Sequence, residues 1–154
     1  MTRGERVVTY GYATWFGCGL VPIAPGTTGT LGALPLYVLV RPFGPVGVLL
    51  TAFVISAFGV IASNGVVRDR CEEDPQIIVV DEVAGVLVTL AAAPTTVRGM
   101  TVGVVLFRLF DQFKPWPADA AERWPEGWGV MGDDLVAGAY GALAITLMQR
   151  FGFL

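Results

Sequence analysis

Histidine is absent from all 154 residues, and the two cysteines, Cys18 and Cys71, stand far apart without a CxxC spacing. Zinc sites of the Cys/His type and every reaction passing through a histidine base or phosphohistidine are therefore excluded. Charge is scarce as well: 15% of residues are charged, against about 25% in soluble domains. No sustained basic patch accompanies the net charge of -3, which argues against a nucleic-acid partner, whose phosphates demand clustered Lys or Arg. Neither a Cys-x5-Arg nucleophile loop, a Gly-x4-Gly-Lys-Ser/Thr nucleotide cradle nor an Asp-x-Asp nucleophile motif occurs. The N-terminal stretch lacks a continuous apolar run with a small-residue cleavage site, so no removed signal peptide is expected.

What is present is oil: 54% of residues are hydrophobic. No charged side chain falls between Arg6 and Arg41, or between Arg41 and Arg68, and bilayer is the natural solvent for such stretches. The cleanest apolar run, Val46 to Ala62, has 17 residues, short of the roughly 20 a helix needs to cross a core about 30 Å thick. Short or tilted spans are therefore expected, in one domain covering residues 1–154.

Residues 1–15 read as an interfacial segment rich in tyrosine and tryptophan. The Gly/Pro-dense stretch 17–26 reads as a loop, with Thr28 or Thr30 capping a helix toward Val40. Residues 46–67 make a second helix, RDRCEEDP a polar connection, 77–92 an apolar segment, and 97–113 a further helix. A last helix starts at Asp133 or Asp134, whose carboxylates suit a first turn, and runs to Arg150. The fold expected is all-α, a compact membrane-embedded bundle of about four to five short helices.

Nearly all the chemistry gathers in three clusters. Asp81-Glu82 sits in the most apolar part of the chain, where an ionised carboxylate costs about 2.5–3.5 kcal/mol, so a partner is required unless the pair merely marks a helix start. In FRLFDQFKPWP, Arg108, Asp111 and Lys114 recur every three residues, along one helical face, where they could meet a ligand or simply pair with one another. Asp133-Asp134 offers one carboxylate more than a helix cap uses. Hard oxygen donors of this kind suit magnesium or manganese, together with substrate phosphate and water, and Arg108 and Lys114 could clamp phosphoryl oxygens. The reaction class left standing is metal-assisted transfer to water.

The motifs PIAPGTTGTLGALP (22–35), VDEVAG (80–85), FRLFDQFKPWP (107–117) and GVMGDDLVAG (129–138) resemble, in order and over nearly the whole chain, those of the bacterial phosphatidylglycerophosphatase A family. The resemblance implies a magnesium-dependent enzyme of the inner membrane that converts phosphatidylglycerophosphate to phosphatidylglycerol and phosphate at the cytoplasmic surface. By that resemblance Asp81, Glu82, Asp111, Asp133 and Asp134 are the functional acids, holding Mg²⁺ and water, and Arg108 and Lys114 the functional bases. Thr27 and Thr28, with the amides around Gly26 and Gly29, could complete a phosphate or headgroup nest; a demanding helix start explains that loop equally well. Relatives carry histidine in the connection before Asp81, so histidine there is not required for the reaction. A phosphatase for another lipid phosphate, a non-catalytic cation-binding membrane protein and a purely structural helical protein are the rivals; the last leaves the clustered acids and bases unexplained. Oligomeric state stays open.

Overall fold

The structure is a computed structural model, and it describes residues 1–72 and 75–154. Its helices are α1 (Arg3–Ala13), α2 (Pro25–Gly32), α3 (Leu34–Val40), α4 (Gly44–Arg70), α5 (Val80–Ala91), α6 (Val97–Phe113), α7 (Ala118–Ala121) and α8 (Gly127–Arg150). The all-α expectation holds, but the expected four to five short helices do not. Helices α2, α3 and α4 follow one another so closely that Pro25–Arg70 forms a 46-residue helical run, leaving six helical bodies among the described residues. Pro25, which falls in the stretch that reads as a loop, and likewise Pro35 and Pro45 each occupy one of the first two positions of a helix, where the missing N–H costs nothing. Part of the polar connection, Glu73 and Asp74, lies outside the described residues.

Local chemistry sets the other starts. Thr2 and Glu5 form a reciprocal capping box at α1, and the Thr96 hydroxyl accepts from the Gly99 N–H at α6. The core is built around α5, whose Val80, Val83, Val86, Leu87 and Leu90 are buried between α4 and α8. At twelve residues α5 is about 18 Å long, shorter than a hydrocarbon core of about 30 Å. Gly85 and Gly138 let α5 and α8 touch: a Cβ on Gly138 would collide with the Gly85 carbonyl, and one on Gly85 would lie 2.5 Å from the Asp134 carbonyl.

Outward, α4 presents Val46, Leu50, Phe53, Val54, Phe58 and Ile61, all exposed. Two stretches, Pro25–Arg70 and Gly127–Arg150, are long and apolar enough to be candidate membrane spans. Apolar on its outer row and packed on its inner row, α4 suits an apolar solvent better than water.

Candidate metal and phosphate site

Asp81 and Glu82 occupy the first turn of α5. Because Gly85 brings α8 against α5 one turn later, Asp134 arrives beside them. One ligand oxygen from each of Asp81, Glu82 and Asp134 falls within 4.8 Å of the others. Asp81, Asp133 and Asp134 are 8%, 7% and 4% exposed, so these carboxylates sit where uncompensated charge is costly. The two aspartates of α8 do not cap it. That helix begins six residues before Asp133, at Gly127, where its first turns are held closely: a Cβ on Gly132 would come 3.0 Å from the Trp124 ring, and the Asn64 side chain of α4 accepts from the Gly127 N–H. Asp133 and Asp134 are thus lifted from the helix end into the interior.

The basic residues take different partners. Arg108 Nη1 lies 2.7 Å from Asp111 Oδ2 and 3.8 Å from Glu82 Oε1. Neither contact is aligned as a hydrogen bond, and Glu82 Oε2 is also buried without a partner. The expected one-face row of Arg108, Asp111 and Lys114 breaks at its end. Lys114 caps α6 in the left-handed conformation, φ 40°, and swings its ammonium to 2.8 Å from both Asp133 Oδ2 and Glu122 Oε1. Asp111 in turn neighbours Asp134. All five acids and both bases singled out from the sequence line one cavity of about 840 Å³.

Burial is the first reason that Asp81 is pushed well above the usual carboxylate range, and the adjoining Glu82 carboxylate is the second. Burial raises Glu82 too. Lys114 goes the other way: burial works against its charge, but its bonds to Asp133 and Glu122 outweigh that and hold it above the ordinary lysine value.

The start of α2 closes another side. Ala24, Pro25, Gly26 and Thr27 line the cavity, and Gly26 approaches so near that a Cβ would collide with Glu82 Oε1. Thr28 does not line it: its hydroxyl is turned to the carbonyls of Cys18 and Pro25, at 2.7 and 2.6 Å, and Thr30 bonds the Gly26 carbonyl. The helix starts at Pro25, ahead of both threonines. Sequence reasoning missed the opposite wall, formed by Glu122, Arg123, Trp124 and Glu126. No periodicity in their segment signals that Glu122 reaches Lys114.

An unpartnered buried carboxylate oxygen, hard oxygen donors on two helices and fixed cations on the same cavity wall fit a divalent cation beside an anionic ligand. Fold and site together define a helical protein, oily on its outside, with a buried acidic cluster that could hold a divalent cation. Comparison with known proteins then specifies the kind. The family description phosphatidylglycerophosphatase A matches residues 11–149. Phosphatidylglycerophosphatase A of Escherichia coli (strain K12) is 37% identical over 136 residues, covering 84% of this chain and 77% of that protein. Its Haemophilus influenzae namesake is 32% identical, over 89% of this chain and 86% of its own length. A Bacteroides thetaiotaomicron protein provisionally named a phosphatidylinositol-3-phosphatase is 37% identical, over 88% of this chain and 90% of its own. No solved structure matches. The chain belongs to the phosphatidylglycerophosphatase A family.

Proposed function

We propose that this protein is a Mg²⁺-dependent lipid phosphatase that hydrolyses phosphatidylglycerophosphate to phosphatidylglycerol and inorganic phosphate. It works in the bacterial inner membrane, with its cavity toward the cytoplasm. The observation that carries the reading is the buried Asp81, Glu82 and Asp134 cluster facing the same cavity as Arg108 and Lys114. Family membership and the two candidate spans support it.

In this reading Asp81, Glu82 and Asp134 hold the cation, with Asp111 and Asp133 at its margin. A Mg²⁺ ion held by these carboxylates would supply positive charge beside the phosphate and lower the pKa of water. A carboxylate of the cluster takes a proton from water as the new O–P bond forms. The P–O bond to the terminal glycerol breaks, and the alkoxide takes back the proton that the carboxylate received, leaving as phosphatidylglycerol. Arg108 and Lys114 bear on the charge that grows on the phosphoryl oxygens. Lys114 has three N–H donors and gives two to Asp133 and Glu122, so one remains for phosphate. Thr27 and the amides at the start of α2 offer further donors. Thr28 serves this edge by holding the loop. Acyl chains stay in lipid while the headgroup reaches the acids.

A second reading, the same chemistry on another lipid phosphate, is favoured by the relative named for a phosphoinositide. Phosphate release by purified protein from phosphatidylglycerophosphate, phosphatidic acid, phosphatidylinositol 3-phosphate and a soluble phosphomonoester, at matched surface concentration with Mg²⁺, tests both. Preference for the first supports the proposal, and preference for another lipid reassigns the substrate. Absence of turnover on all four leaves a cation-binding protein.

A further inference from the structure

Three cationic residues line the cavity, Arg108, Lys114 and Arg123, and two of them are committed. Arg108 faces Asp111 and Glu82, and Lys114 is held between Asp133 and Glu122. Arg123 differs. Its side chain is 81% exposed, its nearest carboxylate is Asp119 at 3.8 Å, and among the described residues it makes no side-chain hydrogen bond. It stands one residue beyond Glu122, and Glu122 reaches Lys114, which reaches Asp133, the neighbour of Asp134. Arg123 is thus an exposed cation on the lining of a cavity whose acids, Asp81 and Asp134, are buried.

That cavity, about 840 Å³, is several times larger than a phosphomonoester and a cation require. A substrate with a single phosphate would leave the exposed cation without an anion. A lipid bearing a terminal phosphomonoester and, one glycerol away, a phosphodiester would meet both. Guanidinium is suited to the exposed position because its planar fork grips two phosphate oxygens at once.

We infer that Arg123 is a specificity-determining residue that binds the phosphodiester of the lipid headgroup while the phosphomonoester occupies the Asp81, Glu82 and Asp134 centre. This rests on the hydrolase reading above and adds the feature by which the site prefers a two-phosphate lipid to phosphatidic acid. Trp124, half exposed beside it, suits the headgroup level of a membrane.

The test uses full-length protein in neutral detergent micelles with Mg²⁺ and four substrates: phosphatidylglycerophosphate, its deacylated water-soluble counterpart, phosphatidic acid and glycerol 3-phosphate. Arg123→Ala and Arg123→Gln should raise KM about tenfold for the two diester-containing substrates, the loss expected for one charge-assisted hydrogen-bonding group. The kcat should stay near wild type, and kcat/KM on the two monoester-only substrates should stay within about twofold. Arg123→Lys should restore part of the discrimination. An exposed side chain leaves folding intact, checked by an unchanged thermal midpoint. The inference is overturned if both variants keep the wild-type preference, or lose activity equally on all four substrates. An effect confined to the acylated diester would assign Arg123 to the micelle surface and equally overturn it. Wild-type protein that releases phosphate from none of the four overturns the hydrolase reading as well, so the two failures are separate results.

Discussion

Gly85→Ala is the substitution in which the packing of this fold should be read most directly as chemistry. The added Cβ would lie 2.5 Å from the Asp134 carbonyl oxygen and 2.5 Å from Phe107 Cε2. Real Cβ atoms essentially never come under 3.0 Å, so α5 and α8 must separate by about 0.5 Å or more, a strain of the kind that costs about 1–3 kcal/mol in packed cores. Neither neighbour yields easily, because one is backbone and Phe107 is fully buried. The shift falls on the residue that supplies both the obstructing carbonyl and one of the three clustered carboxylates. Misplacing a reacting group by about 1 Å can cost about 100-fold in rate, so half that displacement should cost about tenfold in kcat/KM, with weaker Mg²⁺ dependence of the rate. Thermal unfolding in detergent, a Mg²⁺ titration of phosphate release, and Gly11→Ala as a control with open space at its Cβ make the assay. Wild-type Mg²⁺ dependence and activity in Gly85→Ala would refute the claim that this helix contact sets the geometry of the acids.

Other outcomes follow from the same geometry. Asp81→Asn and Asp134→Asn should each lower kcat by about 10²–10³ without unfolding the protein, and full activity of chelated wild type would remove the metal from the reaction. Saturating Mg²⁺ should stabilise wild type by about 2.7 kcal/mol at a hundred times its Kd, seen as a rise in thermal midpoint that Asp134→Asn abolishes. Lys114→Ala should weaken phosphate handling and leave buried Asp133 without its ammonium partner, and Lys114→Arg should not restore activity, since a planar fork cannot sit as a compact ammonium does; unchanged kcat/KM in the alanine form would take Lys114 out of the site. The raised pKa of Lys114 carries a sign. Its contribution to stability is complete below the ordinary lysine value of about 10.4 and is lost only as pH rises through the still higher folded value. The rate profile should therefore show no alkaline limb from Lys114 up to about pH 10, and a limb near pH 8–9 that disappears in Lys114→Ala would contradict the pairing.

The parts of this protein that were legible in its sequence are those where composition and chemistry disagree locally. Asp81-Glu82 stood out because two acids in an apolar run must be compensated, and they lie in the acidic cluster. What was not legible depends on contacts between segments. Asp133 and Asp134 look like a helix cap, but α8 starts at Gly127, where Asn64 of the distant α4 accepts from the Gly127 N–H and the Trp124 ring just ahead of the helix crowds Gly132. Lys114 looks like the third member of a helical row, yet its left-handed backbone turns it to Glu122, a partner no spacing announces. Pro25 falls in a stretch that reads as a loop, yet it opens a 46-residue helical run. A common physical cause links these three cases. Local rules say what a residue tolerates, and a glycine, proline or acid tolerates several positions; the choice falls to neighbours brought in by packing. The same dependence makes the site testable at a distance. Gly85, Gly138 and Asn64 carry no reactive group, yet each fixes where an acid stands, so changes at these positions should move activity together with stability, whereas Arg123 should move substrate preference alone.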